Sequence, residues 1–185
     1  MRTIVNKVGL VAAVFASTLI SANGAAEEKS EPRVVTAKQV AMEIQENTRY
    51  LAGQSLAKAK SLLEAYGDFA PFGAALFPSG KVKYVWAVKP GEKVEGVNPV
   101  LVLNSVRSAL KSQADQGRIL GSAVVYKFKP KGAESSRQIN VELEYLTGFA
   151  QVLGTQYELT DEGYEYGEGA LESYQPVIFA ANKQD

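Results

Sequence analysis

From Gln138 to Tyr145 the chain alternates without a break: Ile139, Val141, Leu143 and Tyr145 are apolar, and Gln138, Asn140, Glu142 and Glu144 are polar. Successive side chains of a strand point to opposite faces, so this stretch demands a sheet with one face on an apolar core. A slip of one residue would carry both carboxylates into that core, which fixes the register. The polar half is expected to face outward, with Glu142 and Glu144 opposite Lys127 or Lys129 of a neighbouring strand.

The segments around it follow the same two periods. Thr36-Ala37-Lys38-Gln39 fits a capping box, in which the Thr36 hydroxyl and the Gln39 amide satisfy free backbone groups at a helix start. The helix is expected to run to Tyr66 and stop at Gly67, with Val40, Ile44, Thr48 and Leu51 and then Leu56, Ala59, Leu63 and Tyr66 on one stripe. Gly53 between the two stripes leaves open a bend or a break. Phe72–Phe77 and Lys81–Val88 around Pro78-Ser79-Gly80 predict a hairpin. Asn98 as N-cap and Pro99 at the first helical position predict a second helix ending near Gly117. Strands are expected at 122–129, 138–145 and 149–159. Residues 160–174 read as an acidic, glycine-rich loop, and 175–180 as a short closing strand.

Hairpins with interposed helices, in the order α-β-β-α-β-β-β, define an α+β class: an antiparallel sheet of about five strands packed with two helices. Profilin-like and roadblock-like folds share that order and serve as analogy only.

The amino terminus sets the compartment. Arg2 and Lys7 precede an uncharged stretch, Val8–Ile20, and then Ser21-Ala22-Asn23-Gly24-Ala25-Ala26. This is the order of a cleavable export signal, and 13 residues fall short of the roughly 20 that a spanning helix needs. Residues 1–26 are expected to be a signal peptide, 27–35 a flexible tether and 36–185 a single domain. The product is then an exported, most simply periplasmic, protein with no membrane span in the mature chain. Such a domain has about 159 residues (185 minus 26) and must stand on its hydrophobic core, because the chain contains no cysteine.

The chain also lacks histidine, so thiol chemistry, a Ser-His-Asp relay and Cys or His zinc sites are excluded. Carboxylate, lysine, tyrosine and hydroxyl chemistry remains. Residues 81–137 carry 11 Lys or Arg against four acids, and 140–185 carry nine acids against Lys183 alone, so a basic side and an acidic side are expected. The basic residues lack a dense aromatic interleave, and no nucleic-acid partner is expected.

Phe69-Ala70-Pro71-Phe72-Gly73-Ala74-Ala75-Leu76 with Gly80, then Ile139–Glu144 with Gly148, then Glu165-Tyr166-Gly167-Glu168, resemble a group of uncharacterised bacterial α+β domains. They share a Pro-Phe-Gly-Ala, strand-Gly and Tyr-Gly order, over most of residues 50–180. Gln156-Tyr157 stands where that pattern has Pro-Tyr. The resemblance implies a fold and carries no known activity.

Three constellations could carry chemistry. Glu142 and Glu144, about 7 Å apart on one strand face, could act, with Glu165 as a further candidate, as acid and base on a glycan, although the outward, polar half of an amphipathic strand is the better explanation of the pair. Asp161, Glu162 and Glu165 offer oxygen ligands to calcium without the spacing of an EF-hand. Tyr164, Glu165, Tyr166, Glu168 and Glu172 offer a partner-facing surface. Phe69, Phe72, Phe77, Tyr84 and Trp86 gather in the first hairpin as core, and any exposed part would line a pocket or a dimer interface. Ser105, Lys111 and Ser112 lack Ser-x-x-Lys spacing. The leading expectation is a non-enzymatic exported binding or protein-interaction module, taking an envelope protein or small ligand, with a homodimer open and no metal or organic cofactor called for. The alternatives are a carboxylate-dependent hydrolase of envelope glycans and a weak calcium-binding protein.

Overall fold

The computed structural model describes residues 36–129 and 137–180. The signal and tether expectations lie outside the described residues. The described residues are α+β: two helices and six strands, in the order α-β-β-α-β-β-β-β.

Helix α1 spans Ala37–Tyr66 without interruption. Its start carries the capping box: the Gln39 amide donates to Thr36 Oγ1 at 3.2 Å and the Thr36 amide to Gln39 Oε1 at 2.8 Å. Gly53 causes no break, because it lies on the exposed side of the helix, where the i to i−4 ladder continues without any side chain to support it. Thr48, Leu51, Ala52, Ser55, Ala59, Leu62 and Leu63 form the buried stripe, at the three-four spacing of one helical face. Gly67 ends the helix in the left-handed region, its amide donating to Leu63 O at 2.8 Å.

Strands β1 (Phe72–Leu76) and β2 (Val82–Trp86) form the expected hairpin. Helix α2 (Pro99–Asp115) opens on Asn98, whose Oδ1 accepts from the Val100 amide at 3.0 Å. Then follow β3 (Gly121–Phe128), β4 (Arg137–Tyr145), β5 (Ala150–Thr160) and β6 (Gly163–Ser173). The sheet order is β2-β1-β3-β4-β5-β6, every neighbouring pair antiparallel.

Two sequence expectations are corrected. Residues 163–173 are a strand, not a loop: Thr160 pairs with Gly163 across a two-residue turn at Asp161-Glu162, and Leu153 pairs with Leu171 further along. Glycine and glutamate disfavour strands in general, but an edge strand in water tolerates both. Residues 175–180 are not a strand. They run as an irregular segment hydrogen-bonded to Glu144.

The helices lie on opposite faces. Phe72, Ala74 and Leu76 of β1 share a core with α1, together with Ala123, Val125, Ile139, Val141, Leu143 and Tyr145. Ala75 and Val124, one step out of phase, pack with Val106 and Leu110 of α2 and with Ile178. Gly73 permits the close approach of α2, since a Cβ there would stand 2.9 Å from both Val106 Cγ1 and Leu110 Cδ1. On the other face Asn47 donates to the Tyr145 hydroxyl at 2.9 Å and the Tyr84 hydroxyl to Gln54 O at 3.1 Å, fastening α1 across the sheet. Because β2 and β6 are the two edges, Lys81 and Lys83 sit at one side and Glu165, Glu168 and Glu172 at the other.

Candidate binding site

Glu142 and Glu144 are not on a wetted face. They are 8% and 1% exposed, beneath α2 and the carboxy-terminal segment. Lys127 is on the opposite face, paired with Asp68. Glu142 meets the Arg107 guanidinium through contacts of 2.6, 2.8 and 3.3 Å and accepts from the Tyr126 hydroxyl at 3.0 Å. Tyr126 accepts in turn from Asn140, whose Oδ1 accepts from Gln138 at 2.7 Å. Burial works against the Arg107 charge, but the bond and charge of Glu142 outweigh it and hold the guanidinium above its usual pKa.

Glu144 spends both oxygens on the end of the chain. Oε1 accepts from the Tyr174 hydroxyl at 2.7 Å and the Val177 amide at 2.8 Å, and Oε2 from the Ile178 and Phe179 amides at 2.8 and 2.7 Å. Burial, then Glu144 as acceptor, pushes the Tyr174 hydroxyl far above the ordinary tyrosine range. A buried carboxylate is tolerable only with such a complement of donors. Both glutamates therefore act as anchors, one for α2 and one for the tail. Glu165 lies apart from them on edge strand β6.

The acidic segment is divided by the pleat. Tyr164 donates to Gly67 O at 3.3 Å, and Tyr166 to Lys60 O and Glu64 Oε1 at 3.5 and 3.4 Å, with Lys60 Nζ 4.1 Å from the Tyr166 ring centre. These tyrosines close the sheet against the carboxy-terminal half of α1, while Glu165, Glu168 and Glu172 face water. Burial, then Glu64, pushes the Tyr166 hydroxyl up to about 12. Asp161 and Glu162 occupy the β5–β6 turn, and among the described residues no three acidic side chains converge as a metal site.

In the first hairpin Phe72 is fully buried, with Phe69, Tyr84 and Trp86 ring centres 5.8, 6.0 and 4.8 Å away. The half-exposed Trp86 lines a 410 Å³ cleft with Tyr66 and the 88–95 loop. Ser105 donates to Leu101 O, Lys111 pairs with Asp115, and Ser112 accepts from Gln116, so each of the three is satisfied within its helix.

A larger and more apolar opening lies between the amino-terminal half of α1 and β4–β6. A six-stranded sheet is roughly 24 Å wide at about 4.8 Å per strand spacing, and a helix with side chains covers roughly 10–12 Å. One helix cannot roof this face. Toward the end of α1, Tyr157, Tyr164 and Tyr166 fill the gap. Toward its start the residues are smaller, and a groove of about 630 Å³ remains, within the range of ligand sites. Ala41, Ile44, Thr48 and Ala52 form its helical wall, and Leu143, Phe149, Leu153 and Leu171 its sheet side. Leu153 reaches over β6 where Gly169 leaves room, its Cδ1 2.6 Å from the place a Cβ would occupy. The Thr48 hydroxyl is turned to Ile44 O at 2.7 Å, which keeps the wall apolar. Gln45, Arg49 and Gln151 supply the polar positions.

None of these lining residues was among the sequence-predicted sites. Ile44 and Thr48 stood out only as part of the helical stripe, and Leu171 sat in a segment read as loop.

The fold is thus a two-helix, six-strand α+β domain with an apolar groove on one face and a buried polar network on the other. No family model, curated protein or solved structure matches the chain, so the resemblance to bacterial α+β domains carries no part of the functional argument.

Proposed function

We propose that this chain is an exported, non-catalytic binding module that seats its ligand in the groove between α1 and β4–β6. The observation that carries the reading is the groove: about 630 Å³ of mainly apolar lining left open between the start of α1 and β4–β6, where Tyr157, Tyr164 and Tyr166 fill the space toward the other end of the helix. Export rests on the charged, apolar and small-residue order of residues 1–26. Among the described residues no helix is long and apolar enough to cross a membrane. A hydrolytic acid and base pair would have to come from Glu142, Glu144 and Glu165, of which Glu142 and Glu144 are each engaged by protein donors and Glu165 stands apart from both on the edge strand. The test is titration with a neutral, environment-sensitive dye. Saturable one-to-one binding is expected, lost in Ala41→Trp, which fills the mouth from an exposed helix position. Absence of saturable binding, or equal binding by the variant, overturns the reading.

A further inference from the structure

Resting on that reading, we propose that the groove takes an amphiphile with one unbranched apolar chain and an anionic head, the chain between α1 and β4–β6 and the head at Arg49. Arg49 is the sole charged residue of the lining, it is exposed, and among the described residues it has no carboxylate within ion-pairing distance. A guanidinium beside an apolar channel matches a carboxylate or phosphate with two parallel hydrogen bonds. Gln45 and Gln151 add amide donors to the same lining.

The lining also selects the shape of the apolar part. Ile44, Leu143, Leu153 and Leu171 are aliphatic, and Phe149 is the one aromatic, so the site offers no pair of rings for a planar ligand. Leu171, 59% exposed, leaves an apolar surface at the rim of this groove. A chain of methylenes gains about fourfold in affinity for each one buried, and the groove length sets where that gain stops.

The experiment compares dodecanoate, dodecanol and vesicles of phosphatidylglycerol, using the purified protein, Arg49→Gln and Ala41→Trp. Expected is saturable dodecanoate binding that rises about fourfold per methylene through the series up to twelve carbons, falls about tenfold in Arg49→Gln and vanishes in Ala41→Trp. Dodecanol should bind Arg49→Gln as it binds the unaltered protein. Monomeric dodecanoate binding without vesicle enrichment makes the ligand a free amphiphile. Enrichment on vesicles that both substitutions abolish overturns the single-chain ligand in favour of a two-chain bilayer lipid with an anionic head. If dodecanol and dodecanoate bind equally and Arg49→Gln alters neither, the anionic head is overturned while the groove reading stands. If the neutral dye binds saturably but neither amphiphile does, the chain-shaped ligand is overturned. If the dye fails too, both fall.

Discussion

Replacing Glu144 with glutamine keeps the size of the side chain and removes its charge. Four donors converge on the native carboxylate, two on each oxygen. The amide retains one oxygen and turns an NH2 group toward the other two donors, so two of the four bonds are lost. Hydrogen bonds to a charged group contribute about 1.5–3 kcal/mol each, which sets the loss at about 3–6 kcal/mol if the tail stays in place. The tail has an escape. Undocking residues 174–180 rehydrates the amides and restores chain entropy, which keeps the loss below the full sum. It also exposes Ile178, now 2% exposed and worth about 1.5–3 kcal/mol. The lower end of the range, about 3 kcal/mol, is therefore expected. That is a large share of the roughly 5–15 kcal/mol by which domains are stable. Urea unfolding gives the free energy, and amide exchange of Val177, Ile178 and Phe179 gives the mechanism: all three should lose protection together in Glu144→Gln. A variant within about 1 kcal/mol of the parent, with those amides still protected, would refute the view of Glu144 as the anchor of the tail.

Gly53→Ala should raise stability by about 0.5–1 kcal/mol, because Gly53 lies in the interior of an uninterrupted helix with nothing within 4 Å of a new methyl group. A lower midpoint in urea would mean that α1 bends there in solution. At alkaline pH the burial of Tyr84, Tyr126, Tyr157, Tyr166 and Tyr174 raises each above the ordinary value of 10.0. The folded-state pKa exceeds the unfolded one, so their contribution is fully present below pH 10 and declines as the pH rises toward about 12, the Tyr166 value. Tyrosinate absorbance should lag behind that of the urea-unfolded chain across this window. Superimposable titrations would contradict the burial of these hydroxyls.

Local chemistry wrote most of the fold into the sequence. Thr36 with Gln39, and Asn98 ahead of Pro99, satisfy backbone groups within three residues of themselves, Pro99 adding only its fixed φ, and the structure has both caps where spacing puts them. The alternation in β4 likewise determined which side chains share a face. It could not say whether the polar face is wet. That depends on Arg107, 35 residues from Glu142, and on the Val177–Phe179 amides, 33 to 35 residues from Glu144. Strand β6 was hidden by Gly163, Gly167 and Gly169, although Tyr164 and Tyr166 already carry the period of two. The groove was invisible for a different reason: it follows from the width of six strands under one helix, which no segment encodes alone.

The placement of the two polar glutamates and of the groove separates stability from binding. Glu142 and Glu144 project to the α2 side of β4, and Leu143 between them projects to the α1 side and lines the groove. One strand thus presents its anchors to one layer and a wall of the groove to the other. The capping glutamates lock the register of β4 from behind, which holds Leu143, and through β5 the paired Leu153 and Leu171, in position without occupying the cavity. The polar network can then be conserved in energy while the groove stays apolar, because neither borrows side chains from the other. Changes at Arg49 or Ala41, both exposed on α1, alter the groove lining without touching any bond of the network. The alternation that makes β4 the clearest strand in the sequence is therefore also what lets this small domain be rigid on one face and open on the other.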